Sequence, residues 1–153
     1  MRDADVRVNV VVNRPPQEVW EAVADPVRIA SWSPENTGAT AVADGPLAVG
    51  ATFGGSNRHG LFRWSTRCAV VESIPGRAFA FDVTYLGLAV SRWRYLVSPA
   101  DEGCVVEEQW WDRRGGLMKA IGTVGTGVVD RTAHNEATMR RTLEAMRADL
   151  EGR

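Results

Sequence analysis

Histidine and cysteine are scarce in this chain. Of 153 residues two are His, His59 and His134, and two are Cys, Cys68 and Cys104, with no CxxC or HExxH spacing among them. A thiolate or imidazole metal cage of the usual kinds cannot be assembled from so few ligands, so neither a metal nor a cofactor is expected. The two cysteines fall in segments read below as non-neighbouring strands, and a cytoplasmic protein with two free thiols is the simplest reading. Excess charge is missing as well: 18 basic residues against 19 acidic ones give a formal charge of −1. Without a basic field nothing gathers a phosphate backbone, which excludes nucleic acid as an expected partner. No apolar run approaches the length of a membrane span. Arg2, Asp3 and Asp5 occupy the stretch where a secretory signal needs apolar residues. What is present is 44% apolar and 24% charged residues, an ordinary mixture for a globular domain. The length suffices to bury a core without staples, and 1–153 reads as one domain.

The order of patterns along the chain is more informative. Val6, Val8, Val10 and Val12 alternate with Arg7 and Asn9, the period of a half-buried strand. Pro15-Pro16 closes that strand and opens a helix with Glu18 and Glu21 near its start and Val19, Trp20 and Val23 on one face. Pro26 breaks it, and a shorter helix is predicted from Val27 to Trp32. Six strand-like stretches follow: Gly38–Ala43, Thr52–Asn57, Phe62–Ile74, Ala78–Tyr85, Val90–Ser98 and Cys104–Asp112. The turns between them are short, which favours an antiparallel meander because parallel neighbours need long crossovers. A Gly-rich stretch (Gly115, Gly116, Gly122, Gly125, Gly127) with a short helix around Leu117–Ile121 leads to a long helix from about Val128 to Leu150. Met139, Leu143, Met146 and Leu150 share a face of that helix; 100° per residue adds Asn135, Thr132 and Val128 and turns His134 towards solvent. The expectation is an α+β fold: a seven-stranded antiparallel sheet wrapped around a long C-terminal helix, with two short helices after the first strand.

Several segments carry a family resemblance: Pro-Pro-Gln-Glu-Val-Trp at 15–20, Trp32-Ser33-Pro34, Gly55-Ser56-Asn57-Arg58 with Arg63-Trp64, Pro75-Gly76-Arg77 before Phe79-Ala80-Phe81, Trp93-Arg94-Tyr95, and the strand containing Glu107–Trp110. Together these resemble the START-like (SRPBCC) superfamily in its polyketide cyclase/dehydrase-like branch, over nearly the whole chain. The resemblance implies a helix-grip fold with an internal cavity between sheet and C-terminal helix. It also implies a gate-like loop at Arg58–Leu61 and a latch-like loop at Leu86–Ala89. Their composition suits a mobile apolar lid and suits ordinary hairpin turns equally.

Strand alternation assigns the cavity face. Trp64, Thr66 and Cys68 point inward, as do Phe79, Phe81, Val83 and Tyr85; so do Trp93, Tyr95 and Val97, while Arg63, Arg67, Arg92 and Arg94 point out. The second meander strand offers Phe53, Gly55 and Asn57. For the last strand one register buries Val106, Glu108 and Trp110 and the other Val105, Glu107, Gln109 and Trp111; the first is preferred as less polar. The expected ligand-binding set is Asn57, Trp64, Thr66, Phe81, Tyr85, Trp93, Tyr95, Glu108, Trp110, Asn135 and Met139. The six tryptophans line a pocket or fill a core. Asn57, Thr66, Tyr85, Tyr95 and Glu108 are assigned to the mouth-ward halves of their strands, which suits an amphiphile entering tail-first. Glu108, Tyr95 and Asn57 are the catalytic candidates: a desolvated Glu108 becomes an acid or base, and an Arg-paired Glu108 would be structural.

Three functions fit this reading. The first is a cytoplasmic, bacterial-type binder of a small hydrophobic or amphiphilic molecule, lipid- or polyketide-like, acting as monomer or homodimer. The second is a polyketide cyclase or dehydrase-like enzyme. The third is an interaction subunit, for which an exposed apolar patch would speak.

Overall fold

A computed structural model of the chain describes residues 2–41, 45–120 and 130–152. The elements run β1 (Val6–Val12), α1 (Pro16–Val23), α2 (Pro26–Trp32), β2 (Asn36–Ala41), β3 (Thr52–His59), β4 (Phe62–Ile74), β5 (Ala78–Tyr85), β6 (Leu88–Pro99) and β7 (Cys104–Asp112). A helical stretch whose described part is 116–120 (α3) follows, then α4 (Arg131–Glu151). The strands form one antiparallel sheet of order β1-β7-β6-β5-β4-β3-β2. The meander from β2 to β7 is thus closed at one end by the first strand of the chain. α4 packs on β1, β7 and α2. This is the helix-grip α+β fold.

Local chemistry explains the boundaries. Pro16 and Pro26 each sit at the start of a helix, where a missing N–H costs nothing. α2 opens one residue earlier than expected because the Asp25 side chain caps it, accepting from the Val27 N–H at 3.0 Å. Asp130 does the same for α4, accepting from the Ala133 N–H at 3.1 Å, so the described helix begins at Arg131. The expected start at Val128, the end of the first of the six strand-like stretches at 42–43, and Ile121, Gly122, Gly125 and Gly127 lie outside the described residues. Removing the α4 cap by Asp130→Ala is expected to cost about 1 kcal/mol. In a domain of this size that lowers the midpoint of thermal unfolding by about 3 °C, read by circular dichroism.

Val6, Val8, Val10 and Val12 are buried while Arg7, Asn9 and Val11 are exposed. They meet the inner face of α4: Met139, Leu143, Met146 and Leu150. Trp20 belongs to this core and donates its indole N–H to the Ala78 carbonyl at 2.8 Å. Trp32 ties α2 to α4 through Asp149 Oδ2 at 3.1 Å. The register of β7 places Val106, Glu108 and Trp110 on the concave face. Gln109 and Trp111, on the opposite face, are also buried. Trp111 donates to the Arg2 carbonyl, and the Arg2 guanidinium returns across to the Asp112 carbonyl, so the N-terminal segment covers the outer side of β7. A strand covered on both faces carries no clean alternation, which is why its sequence admits two registers.

The convex face is laced by charge. Arg92 makes paired hydrogen bonds to Asp82 on the adjacent strand at 2.6 and 2.9 Å, and Arg113 adds a contact to Asp82 at 2.9 Å. Arg94 does likewise with Glu72 at 2.7 and 3.1 Å. The planar fork of Arg matches two carboxylate oxygens at once.

A cavity between the sheet and the C-terminal helix

Curvature of the sheet around α4 leaves a cavity of about 260 Å³. Every residue of the expected set borders it: Asn57 from β3, Trp64 and Thr66 from β4, Phe81 and Tyr85 from β5, Trp93 and Tyr95 from β6, Glu108 and Trp110 from β7, and Asn135 and Met139 from α4. The aromatic wall is interlocked. Phe53 meets Phe81 edge to face at 5.1 Å between centroids, and Trp93 meets Trp110 at 6.3 Å with a tilt of 48°. Trp93 donates to Ser91 Oγ at 3.1 Å, satisfying its indole N–H.

Glu108 is 2% exposed. Its Oε1 accepts the Tyr95 hydroxyl at 2.9 Å; its Oε2, also buried, has no hydrogen-bond partner among the described residues. Among the described residues no arginine pairs with it, so Glu108 is not the Arg-paired structural carboxylate there. Burial drives its pKa up to about 8, against a smaller downward pull from the Tyr95 hydroxyl. Burial and the neighbouring carboxyl also raise Tyr95 well above the ordinary phenol range. At neutral pH the pair is therefore a carboxylic acid and a phenol, both uncharged. Cys68, on the same wall, is pushed up to about 12 by burial and stays a thiol with little nucleophilic character.

The height of this pair corrects the sequence-based picture. Tyr95 stands opposite Phe79 on one side and Glu108 on the other, four residues from the far end of β6 and seven from its mouth end at Leu88. Glu108 is the middle residue of β7. The acid and the phenol thus lie deep, level with Phe79, while Asn57, Thr66 and Tyr85 lie towards the mouth.

A second polar group forms the rim. Glu35, between α2 and β2, accepts from Arg131 at 2.8 and 3.1 Å and contacts His134 Nε2 at 2.6 Å. His134 is half-buried and meets His59, at the tip of β3, edge to face at 4.8 Å; it is not the surface histidine that helical spacing implies. Arg131 also lies over the Trp64 ring at 5.8 Å. Arg131 and Arg114 border the cavity, although the sequence reading finds no inward arginine. Arg63, assigned outward, reaches the rim too. Arg131 precedes Asn135 and Met139 by four and eight residues, a helical stripe that could have exposed it. Glu35 has no local signal, since its partners are far along the chain.

The gate-like and latch-like segments form tight hairpin turns. Two residues, Gly60 and Leu61, join β3 to β4, and two, Leu86 and Gly87, join β5 to β6. Leu86 and Gly87 both have positive φ, 52° and 79°, as tight hairpins with right-handed twist require. Leu61 and Leu86 point into solvent.

A helix-grip domain with a cavity between its sheet and its C-terminal helix is the class that fold and site define. A family model described as polyketide cyclase/dehydrase and lipid transport matches residues 3–151, and the chain belongs to this family, within the START-like superfamily. Among solved structures it is similar to the polyketide-cyclase-like protein Cgl2372 from Corynebacterium glutamicum, at 26% identity and TM-score 0.63, covering 99% of this chain and 94% of that one. Protein CV1439 from Chromobacterium violaceum shares the fold at 15% identity and TM-score 0.71, covering 95% of this chain and 96% of that one. So does the di-domain ARO/CYC StfQ of the steffimycin biosynthetic pathway, at 14% identity and TM-score 0.73, covering 96% of this chain and 50% of that one. No curated protein matched the chain. Among the described residues no helix is long and apolar enough to cross a membrane.

Proposed function

We propose that this protein binds one small hydrophobic or amphiphilic molecule, lipid- or polyketide-like, in the cavity between sheet and α4, as a cytoplasmic monomer or homodimer and without a cofactor. The observation that carries this reading is a cavity of about 260 Å³ walled by Trp64, Phe81, Trp93, Trp110 and Met139 inside an otherwise packed core. Close packing is the rule in protein interiors, and unfilled space approaching the roughly 300 Å³ of the smaller ligand sites departs from it in a way that a bound molecule explains. The family description, which names both polyketide cyclisation and lipid transport, supports the same class of ligand.

Native mass spectrometry of protein purified from its source is expected to show a co-purifying apolar molecule. Met139→Trp, which places an indole where the cavity is, is expected to weaken binding of an apolar fluorescent probe at least about tenfold while the circular dichroism spectrum is kept. A protein that carries nothing and binds no apolar probe would end this reading.

One observation favours a second reading, a cyclase or dehydrase-like enzyme: the deep Glu108 acid leaves Oε2 without a partner among the described residues. In that reading Glu108 and Tyr95 move a proton at a reacting carbonyl, and Asn57 holds an enolate oxygen nearer the mouth. Multiple turnovers on a poly-β-ketone substrate, lost in Glu108→Gln, distinguish it from simple binding.

A further inference from the structure

Glu108 borders the cavity with a carboxyl group of which only one oxygen is engaged among the described residues. Tyr95 donates to Oε1, which fixes that oxygen as the acceptor side of the carboxyl group. The acid proton then belongs on Oε2, the atom with no partner among the described residues. Among the described residues none of the acceptors on the cavity wall, such as Thr66, Tyr85, Ser91, Asn135 and Thr142, hydrogen-bonds to it. A buried donor left unmatched is costly, and a site built this way favours a molecule that completes it.

We infer that the molecule held in this cavity carries a carbonyl-class oxygen at its inner end, and that the Glu108 acid donates its Oε2 proton to that oxygen in a hydrogen bond. The inference rests on the proposed binding function and narrows it. The buried end of the ligand is a ketone, aldehyde, ester or enol oxygen rather than a bare hydrocarbon tail. Burial, which keeps Glu108 protonated up to about pH 8, supports the donor role. The other ionisable groups on the cavity wall are Cys68, Tyr85 and Tyr95, with Glu35, Arg63, Arg114 and Arg131 towards the rim. Their influence is separated from that of Glu108 by the glutamine variant below.

The test uses two probes of nearly equal size, 2-acetylnaphthalene and 2-ethylnaphthalene, titrated calorimetrically into the whole protein. At pH 6 the ketone is expected to bind about tenfold more tightly than the hydrocarbon, the worth of one net hydrogen bond to a buried donor. At pH 9.5, with Glu108 ionised, that preference is expected to vanish. Glu108→Gln places an amide N–H where the acid proton was, and should keep the preference at both pH values. The double variant Glu108→Leu, Tyr95→Phe removes donor and partner together and should bind the hydrocarbon more tightly than the ketone. If the two probes bind equally to the unmodified protein at pH 6, the inference is wrong and the cavity remains a binding site. If neither binds, the proposed function itself fails. If Glu108→Gln loses the preference at pH 6, or keeps it only at one pH, the donor is another group.

Discussion

Between pH 5 and pH 9 the double variant Glu108→Leu, Tyr95→Phe gains about 4 kcal/mol of stability relative to the unmodified protein. The cause lies in one carboxyl group. In the unfolded chain Glu108 loses its proton near 4.5, whereas burial in the fold holds the proton until about pH 8. Between those values the native state binds the proton that the unfolded state has released, so raising the pH pulls the equilibrium towards unfolding. The penalty is small at pH 5, grows across the interval and levels off above pH 8. A chain with leucine at 108 has nothing to titrate there, and phenylalanine at 95 avoids stranding a buried hydroxyl. The lowered carboxyls of Asp5, Asp82 and Asp112 act in the other direction, being lost as pH falls. They are common to both proteins and cancel in the difference. Urea unfolding at pH 5, 7 and 9 measures the gap, and a gap independent of pH would show that burial does not hold this acid neutral.

Gly103→Ala is expected to cost more than about 3 kcal/mol, among the largest effects available to a single methyl group here. Gly103 closes the β6–β7 turn, with its carbonyl accepting from the Ala100 N–H at 3.1 Å, at a φ of 80°. A Cβ built on it would stand 2.0 Å from the Val12 carbonyl oxygen and 2.8 Å from both the Arg14 nitrogen and the Asn13 Cα. All three are backbone atoms that cannot swing away. They belong to the segment where the end of β1 is tied to α4, through the Asn13 N–H on Glu151 and the Arg14 guanidinium on the Leu150 carbonyl. Gly60 and Gly87 provide the comparison: both have positive φ, 61° and 79°, and open space where a Cβ would go. Alanine there carries only the left-handed backbone cost, about 1–2 kcal/mol. Denaturant titration of the three variants separates strain from collision; equal losses would mean that the contact with β1 is unimportant.

These residues mark where sequence was informative and where it was not. β4, β5 and β7 begin and end where expected because each is bracketed by a turn whose chemistry is local. Alternation likewise assigns Trp64, Phe81, Tyr95 and Glu108 to the concave side, since a strand has only two faces. Depth is a different quantity. Tyr95 was placed near the mouth because alternation says nothing about height, which depends on how the registers of β5, β6 and β7 match. His134 shows the same limit for helices: spacing turns it away from the helix's apolar stripe, but the segment after α2 and the tip of β3 come over that side and cover it. The rim was the least legible part, because the Arg131–Glu35 pair joins positions 96 apart in the chain.

The paired arginine and carboxylate groups on the convex face bear on how the fold responds to salt. Asp82 with Arg92 and Arg113, and Glu72 with Arg94, brace β4, β5 and β6 from outside, so that wall resists bowing outward. On the opposite side Glu35 joins the start of α4 to the segment after α2. Added salt, which screens exposed ion pairs most, is felt first on the convex face, whose paired side chains are 21–41% exposed against 11–22% at the Glu35 clasp.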